Sequence, residues 1–312
     1  MRLPLWPRRS TRAFFREGRQ TAGYSLLDLL HGYVYGRWPY LYIGVATGEH
    51  PLARWIRPVA SFILDRLSPN SAHKTPAGGF ADTYHGKVMS LEAAQQLVMV
   101  QEDIHLPNLE QVIPYQTARD IVLQQPDHIV VLECPCRAAR ANPCRPLDVC
   151  LIVGEPFASF VAEHHPKRAR WLTRAEAIEI LQAEHERGHV HHAFFKDAML
   201  GRFYAICNCC SCCCGAMQAH RTGTPMLASS GYVAQVDADS CLACGVCANH
   251  CPFAAISVND GLVHIDASAC MGCGVCVSQC PQGAISLLRE PAKGEPLEIR
   301  ALLTRSGATR RD

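Results

Sequence analysis

Cys241, Cys244, Cys247 and Cys251-Pro252 follow the spacing C-x2-C-x2-C-x3-C-P, and Cys270, Cys273, Cys276 and Cys280-Pro281 repeat it. Ten further cysteines fall in two clumps: Cys134-Pro135-Cys136 with Cys144 and Cys150, then Cys207, Cys209, Cys210, Cys212, Cys213 and Cys214. Small disulfide scaffolds are also rich in cysteine, but they are short, secreted and poor in core. Here 18 cysteines sit in 312 residues that are 48% hydrophobic, and no secretory apolar region precedes them. Neighbouring cysteines in such clumps cannot easily bridge to each other. Clustered thiols in a chain able to build a core point to metal or iron–sulfur ligation in a reducing compartment.

An internal repeat organises the second set. Residues 236–258 align without gaps on residues 265–287, and twelve of the twenty-three positions are identical. Each copy reads as strand, cysteine loop, short helix, strand. C-x2-C pairs also hold zinc, but the duplication and the C-x3-C-P endings speak against it. Residues 232–288 closely resemble the bacterial-type ferredoxin domain with two [4Fe–4S] clusters. The resemblance implies that Cys241, Cys244, Cys247 and Cys280 hold cluster I, and that Cys270, Cys273, Cys276 and Cys251 hold cluster II, each fourth cysteine crossing to the other cluster. Gly245 and Gly274 allow the close backbone approach such loops need. Ala243 stands where the second copy has Gly272, a small departure.

The spacings C-x-C-x7-C-x5-C and C-x-C-C-x-C-C-C of the other ten match neither a ferredoxin nor a zinc finger. Glu133-Cys134-Pro135-Cys136-Arg137 together with Ile206-Cys207-Asn208-Cys209-Cys210 is similar to a group of iron–sulfur proteins that carry a C-terminal ferredoxin module. The expectation is a further metal centre, an iron–sulfur cluster, built from Cys134, Cys136, Cys144, Cys150 and some of Cys207, Cys209 and Cys210. A strand alternates faces, so Cys207 and Cys209 can point together while Cys210 points away. Six cysteines in eight positions cannot all serve one cubane, so some are spare, structural or ligands of a second centre. Zinc or a redox disulfide is the competing reading. Arg137 and Arg140 would offset thiolate charge. His185, His189, His191 and His192 read as surface or strand residues, because Gly188 interrupts the helical spacing between His185 and His189.

The elements expected to carry these loops are a helix from Ser90 to about Gln101, a helix near Gln116–Gln124, and strands at Ile129–Leu132 and Val149–Val153. They continue with a helix opened by the capping box Thr173–Glu176 and stopped by Gly188, then strands at Val190–Phe195 and Phe203–Ile206. The alternation fits α/β or α+β. The chain reads as α+β overall. It comprises a basic, aromatic-rich extension (1–80, with a loop near 68–80), a Cys-rich α/β domain (81–231), the ferredoxin-like module (232–288) and a tail (289–312).

A net charge of +2 gives no field for nucleic acid. Residues 1–20 hold six arginines against Glu17 alone, a basic arm on a mildly acidic body. The charge-free run Trp38–Gly48 is too short for a transmembrane helix, which needs about 20 residues. Aromatics concentrate in residues 1–62. They suggest an aromatic layer wrapped onto the next domain or, alternatively, docking on a membrane face or a partner protein. G-x-G-x-x-G, G-x-x-x-x-G-K-[ST] and G-x-S-x-G are absent, so nicotinamide, nucleoside triphosphate and serine-hydrolase chemistry lack support. The sequence reads as an iron–sulfur protein, cytoplasmic or peripheral on the inner membrane face, that relays single electrons between redox partner proteins as a component of an oxidoreductase system. The alternatives are an oxidoreductase with its own substrate site near the residue 134–214 cysteines, or a redox-sensing or cluster-delivery module.

Overall fold

A computed structural model describes residues 8–55, 84–109, 111, 112 and 120–305. Its largest element is an eight-stranded sheet of β1 (Tyr84–Met89), β2 (Ile104–Leu106), β3 (Ile121–Glu133), β4 (Asp148–Glu155), β5 (Ala169–Leu172), β6 (Val190–Lys196), β7 (Arg202–Cys209) and β8 (Leu227–Ala228), in the order β2-β3-β4-β7-β6-β1-β8 with β5 also on β3. Every pairing is antiparallel except β1 with β8. The N-terminal part is therefore α+β rather than α/β. Its central connections reverse the chain directly: a short turn joins β6 to β7, and the first cysteine loop joins β3 to β4.

Period-two alternation divides the strand residues between two cores. Ile129, Val131, Leu151, Val153, Phe195 and Phe203 face the helices Leu91–Val98 and Arg174–Glu186. Both helices start as the sequence predicts, with Ser90 Oγ accepting Ala93 N–H at 3.2 Å and Thr173 Oγ1 accepting Glu176 N–H at 3.2 Å. Gly188, at φ 77°, ends the second. The expected helix near Gln116–Gln124 is corrected. Residues 116–119 lie outside the described set, and Ile121–Gln124 open β3, where alternating apolar residues pair with Ile104–Leu106. The loop near 68–80 also lies outside the described residues.

Val130, Leu132, Ile152, Phe194 and Tyr204 face the opposite way. The helices Arg9–Gln20, Leu26–Arg37 and Phe157–His164 cover this face, with the Phe14 and Phe160 rings tilted against each other at 5.5 Å and Tyr35 Oη 2.8 Å from Tyr204 Oη. The aromatics of the first helices thus form a layer of the core. Leu26, Leu27 and Leu30 remain on its outer side, 75%, 52% and 55% exposed. Among the described residues, no helix is long and apolar enough to cross a membrane.

After β8 the chain enters two small antiparallel ribbons. β9 (Tyr232–Val236) pairs with β12 (Ile285–Arg289), and β10 (Ile256–Asn259) with β11 (Leu262–Ile265). Each ribbon takes one strand from each sequence repeat, so the two copies close around each other. The helices Val246–His250 and Val275–Gln279 begin at Gly245 and Gly274, both left-handed.

Gly32 reports how closely the outer helices sit on the sheet. A Cβ there would stand 1.9 Å from Ala198 O. Helix propensity alone favours alanine by ~1 kcal/mol, but overpacking of a tight contact costs ~1–3 kcal/mol. Gly32→Ala is expected to lower the denaturant midpoint, and an unchanged or raised midpoint would contradict this seating.

Candidate iron–sulfur and thiol sites

In the C-terminal module Cys241, Cys244, Cys247 and Cys280 line one small cavity, and Cys251, Cys270, Cys273 and Cys276 line a second. Backbone N–H groups already point at the sulfurs. Ala243 N lies 3.4 Å from Cys241 Sγ, Ala255 N 3.3 Å from Cys251 Sγ, Ala284 N 3.3 Å from Cys280 Sγ and Ala234 N 3.5 Å from Cys270 Sγ. Such donors stabilise thiolate and cluster charge. Burial pushes the Cys276 thiol up to about 12, helped by Cys270, Cys251 and Cys247 nearby. A metal centre must displace those protons to bind. The residues present thus fit two thiolate-ligated clusters.

The two halves differ in surroundings. Cys244 is exposed and Cys241 half-buried, whereas Cys270, Cys273 and Cys276 are buried. Met271, Cys273 and Val275 belong to the same core as Phe194 and Tyr204. Ser230 ties the second loop down, accepting nothing from it but donating Oγ–H to Gly272 O at 2.7 Å and N–H to Met271 O at 3.1 Å. Gln279 Nε2 donates to Glu186 O at 3.0 Å, and the His220 and Phe253 rings meet edge-on at 5.6 Å. This contact explains why the second cysteine loop has Gly272 where the first has Ala243. A Cβ on Gly272 would stand 2.2 Å from Tyr232 O, while the free first loop carries Ala243 at φ 51°.

The ten other cysteines converge as two groups. Cys150 lies opposite Cys207 across β4 and β7, and Cys207 and Cys209 share a face of β7. The Cys134 thiol is within hydrogen-bonding reach of Cys150 and Cys136, Cys136 reaches Cys214, and Cys214 Sγ is 3.2 Å from Cys209 Sγ. These six cysteines, with Cys210 at the border, line a cavity of about 480 Å³ between the sheet and the helix Pro39–Thr47. The hydrogen bond with Cys136, then burial, push Cys134 up to about 12. The second group holds Cys144, Cys210 and Cys212, whose Sγ atoms lie within 4.8 Å of one another, with Cys213 Sγ 3.5 Å from Cys212 Sγ.

The seven cysteines expected to form one centre are thus divided, with Cys144 and Cys210 apart from Cys134, Cys136, Cys150, Cys207 and Cys209. Cys210 lies just beyond the end of β7, at the border of the cavity, where its Sγ joins Cys144 and Cys212. Sequence reading missed Cys214, although Cys214-Gly215 opens the helix Gly215–Arg221 much as Cys134-Pro135 opens the helix Pro135–Ala138. Arg137 stands between the groups, 1% exposed, donating to Glu184 Oε2 at 2.5 Å and Asn208 O at 2.9 Å. Arg140 donates to Cys213 O at 3.4 Å. The four histidines are not surface residues: His191 and His192 are fully buried in β6, and His185 and His189 are buried beside it.

The cavity wall opposite the thiols carries Tyr35, Tyr84 and Tyr204. Lys196 is buried behind them, with Nζ 4.8 Å from the Tyr35 and Tyr84 ring centres, and burial lowers it to about 8. No sequence motif announced this cluster. Its members come from a helix and three strands and meet only in the folded sheet.

Gly272→Ala is expected to cost the module about half of its iron, because the clash falls on backbone, while Ala243→Gly leaves iron unchanged. Equal iron content in the two purified variants would overturn the asymmetry.

Residues 234–287 match the family model of the 4Fe-4S dicluster domain. No curated protein matches the chain. The match spans all eight cysteines of the repeats and stops short of the residue 134–214 groups. A dicluster domain implies two [4Fe–4S] clusters and a role in iron–sulfur electron transfer.

Proposed function

We propose that this protein relays single electrons from a redox partner, through the two clusters of a module at residues 232–288, into a metal centre of the residue 81–231 domain. Cluster I is held by Cys241, Cys244, Cys247 and Cys280, and cluster II by Cys270, Cys273, Cys276 and Cys251. The supporting observation is the polarity of the module. Its Cys244 end is open to solvent and carries Leu242, 70% exposed, while Met271, Cys273 and Val275 are built into the core that also contains Cys134, Cys150, Cys209 and Cys214. A partner docks where cluster I is accessible, and the electron leaves cluster II inward. The outward leucines of the helix Leu26–Arg37 offer a second docking face.

The inner centre is an iron–sulfur cluster drawn from Cys134, Cys136, Cys150, Cys207, Cys209 and Cys214. When bound, it supplies one-electron storage. The chain itself supplies soft ligands from three segments, an apolar wall that excludes water, and the Arg137 guanidinium to offset negative charge. The likeness to iron–sulfur proteins with E-C-P-C-R and I-C-N-C-C runs supports the same reading.

A second reading is favoured by the cavity. A volume of about 480 Å³ is within the range of small-molecule sites, and Tyr35, Tyr84, Tyr204 and Lys196 bring hydroxyl and ammonium protons to its wall. In that reading the inner centre reduces a ligand held against the tyrosines, and the protein is an oxidoreductase rather than a relay.

Anaerobically purified protein is expected to carry about twelve irons, in three [4Fe–4S] clusters, with a third EPR signal on reduction. The double variant Cys136→Ser/Cys214→Ser should retain about eight irons and lose only that signal. Iron that stays at about eight in the wild type would end the electron path at the module.

A further inference from the structure

Cys144, Cys212 and His189 lie outside the cavity, and Cys210, which reaches its lining, also stands beside them. Three Sγ atoms fall within 4.8 Å of one another, and His189 Nε2 lies 3.7 Å from Cys144 Sγ. Around a tetrahedral zinc ion, with Zn–S of about 2.3 Å and Zn–N of about 2.0–2.1 Å, ligand-to-ligand edges come to about 3.8 Å for two sulfurs and about 3.6 Å for sulfur and nitrogen. The three sulfurs, drawn slightly together, suit one ion, and His189 Nε2, next to Cys144, is the nitrogen that completes its shell as the ring closes on the other two.

The orientation of His189 adds an independent sign. Its Nδ1 lies 2.7 Å from Glu184 Oε2, and the carboxylate can only accept. Arg137 Nη2 also lies 3.2 Å from Nδ1, but its two protons serve Glu184 Oε2 and Asn208 O, so the shorter carboxylate contact sets the tautomer: Nδ1 carries the proton and the Nε2 lone pair faces Cys144 Sγ. A carboxylate fixing a histidine in this way is the usual support behind a metal-ligating imidazole. Glu184 is buried, held on its other sides by Arg137 at 2.5 Å and by Arg187 Nη1 at 3.1 Å. Three thiolates and a divalent ion sum to one negative charge. With Glu184 that makes two, and the two guanidiniums balance them. Cys213 supports the loop instead, its Sγ accepting Cys144 N–H at 3.4 Å.

We propose that Cys144, Cys210, Cys212 and His189 Nε2 bind one structural zinc ion, separate from every iron–sulfur centre, with Glu184 as the positioning residue. The site ties the β3–β4 cysteine loop to the end of β7 and the start of β6. It also lies at the joint with the ferredoxin-like module, because the adjoining Gly188 sits so near that a Cβ there would stand 3.6 Å from both His250 Nδ1 and Val275 Cγ1. A redox-inert ion here pins the module against the sheet and carries no electron itself.

The test uses the full chain, purified anaerobically with its iron complement filled. Elemental analysis should find one zinc per chain besides iron, and zinc K-edge EXAFS should show three sulfurs at about 2.3 Å and one nitrogen at about 2.0–2.1 Å. Cys212→Ser and His189→Gln should each remove most of the zinc and leave the iron count unchanged. Absence of zinc, a four-sulfur shell, or loss of iron together with zinc in Cys212→Ser would each overturn the site. The wild-type EXAFS decides the question even if a variant fails to fold. Because zinc and iron are counted separately, failure here leaves the proposed relay untouched, and failure of the relay leaves the zinc site standing.

Discussion

Sulfur is tolerated in a protein core as a neutral thiol and is costly there as an unpaired thiolate. The N-terminal fold gathers ten thiols within reach of one another and must resolve that cost. Protons resolve it without metal. Hydrogen bonds with Cys134 and Cys207, with burial, hold Cys150 well above the ordinary thiol range, and Cys134 is raised alongside it. In the proposed metal-loaded state a thiophilic cation would resolve it instead. Arg137 matters in either state, because a buried guanidinium between the two sulfur groups offsets charge on both sides. Glu184 in turn fixes Arg137, so this ion pair links the helix Arg174–Glu186, the first cysteine loop and the end of β7.

The sheet topology follows from the same need. Cys150 and Cys207 meet because β4 and β7 are adjacent and antiparallel, although fifty-odd residues separate them in sequence. β6 beside β7 brings His189 to the same end as Cys210. The loops leaving these strands at that end carry the rest of the sulfurs. An antiparallel sheet thus concentrates at one edge what the sequence spreads over residues 134–214.

This explains what could be read without a structure. The module was legible because its ligands are local. Two-residue gaps and a duplicated 29-residue unit specify the loops by themselves, and only the fourth cysteine of each set crosses over. The shared face of Cys207 and Cys209 follows from strand alternation, although Cys210 also reaches the same cavity. The division of the other cysteines into two groups was not legible, because it depends on where β7 ends and on which strand lies beside it. His189 reads as an ordinary residue until Glu184, five positions earlier and past a helix stop, is seen to point at its ring. The tyrosines and Lys196 lack any spacing signal, and Ile121–Gln124 follows residues that read as helical.

Placement of the clusters also bears on the direction of electron flow. Reduction makes a thiolate-ligated cubane more negative, so a drier environment disfavours the reduced form unless nearby dipoles or cations compensate. Cluster II is the drier of the two, and Ala234 and Ala255 N–H groups at Cys270 and Cys251 supply part of that compensation. The cysteine-lined cavity is largely buried as well, and there Arg137 stands buried close by, with Lys196 behind the tyrosine wall. If the cavity holds the proposed inner centre, a cationic inner end and an exposed outer end would give the chain of centres an electrostatic slope. In the proposed relay, that slope draws the electron from the surface toward the cavity.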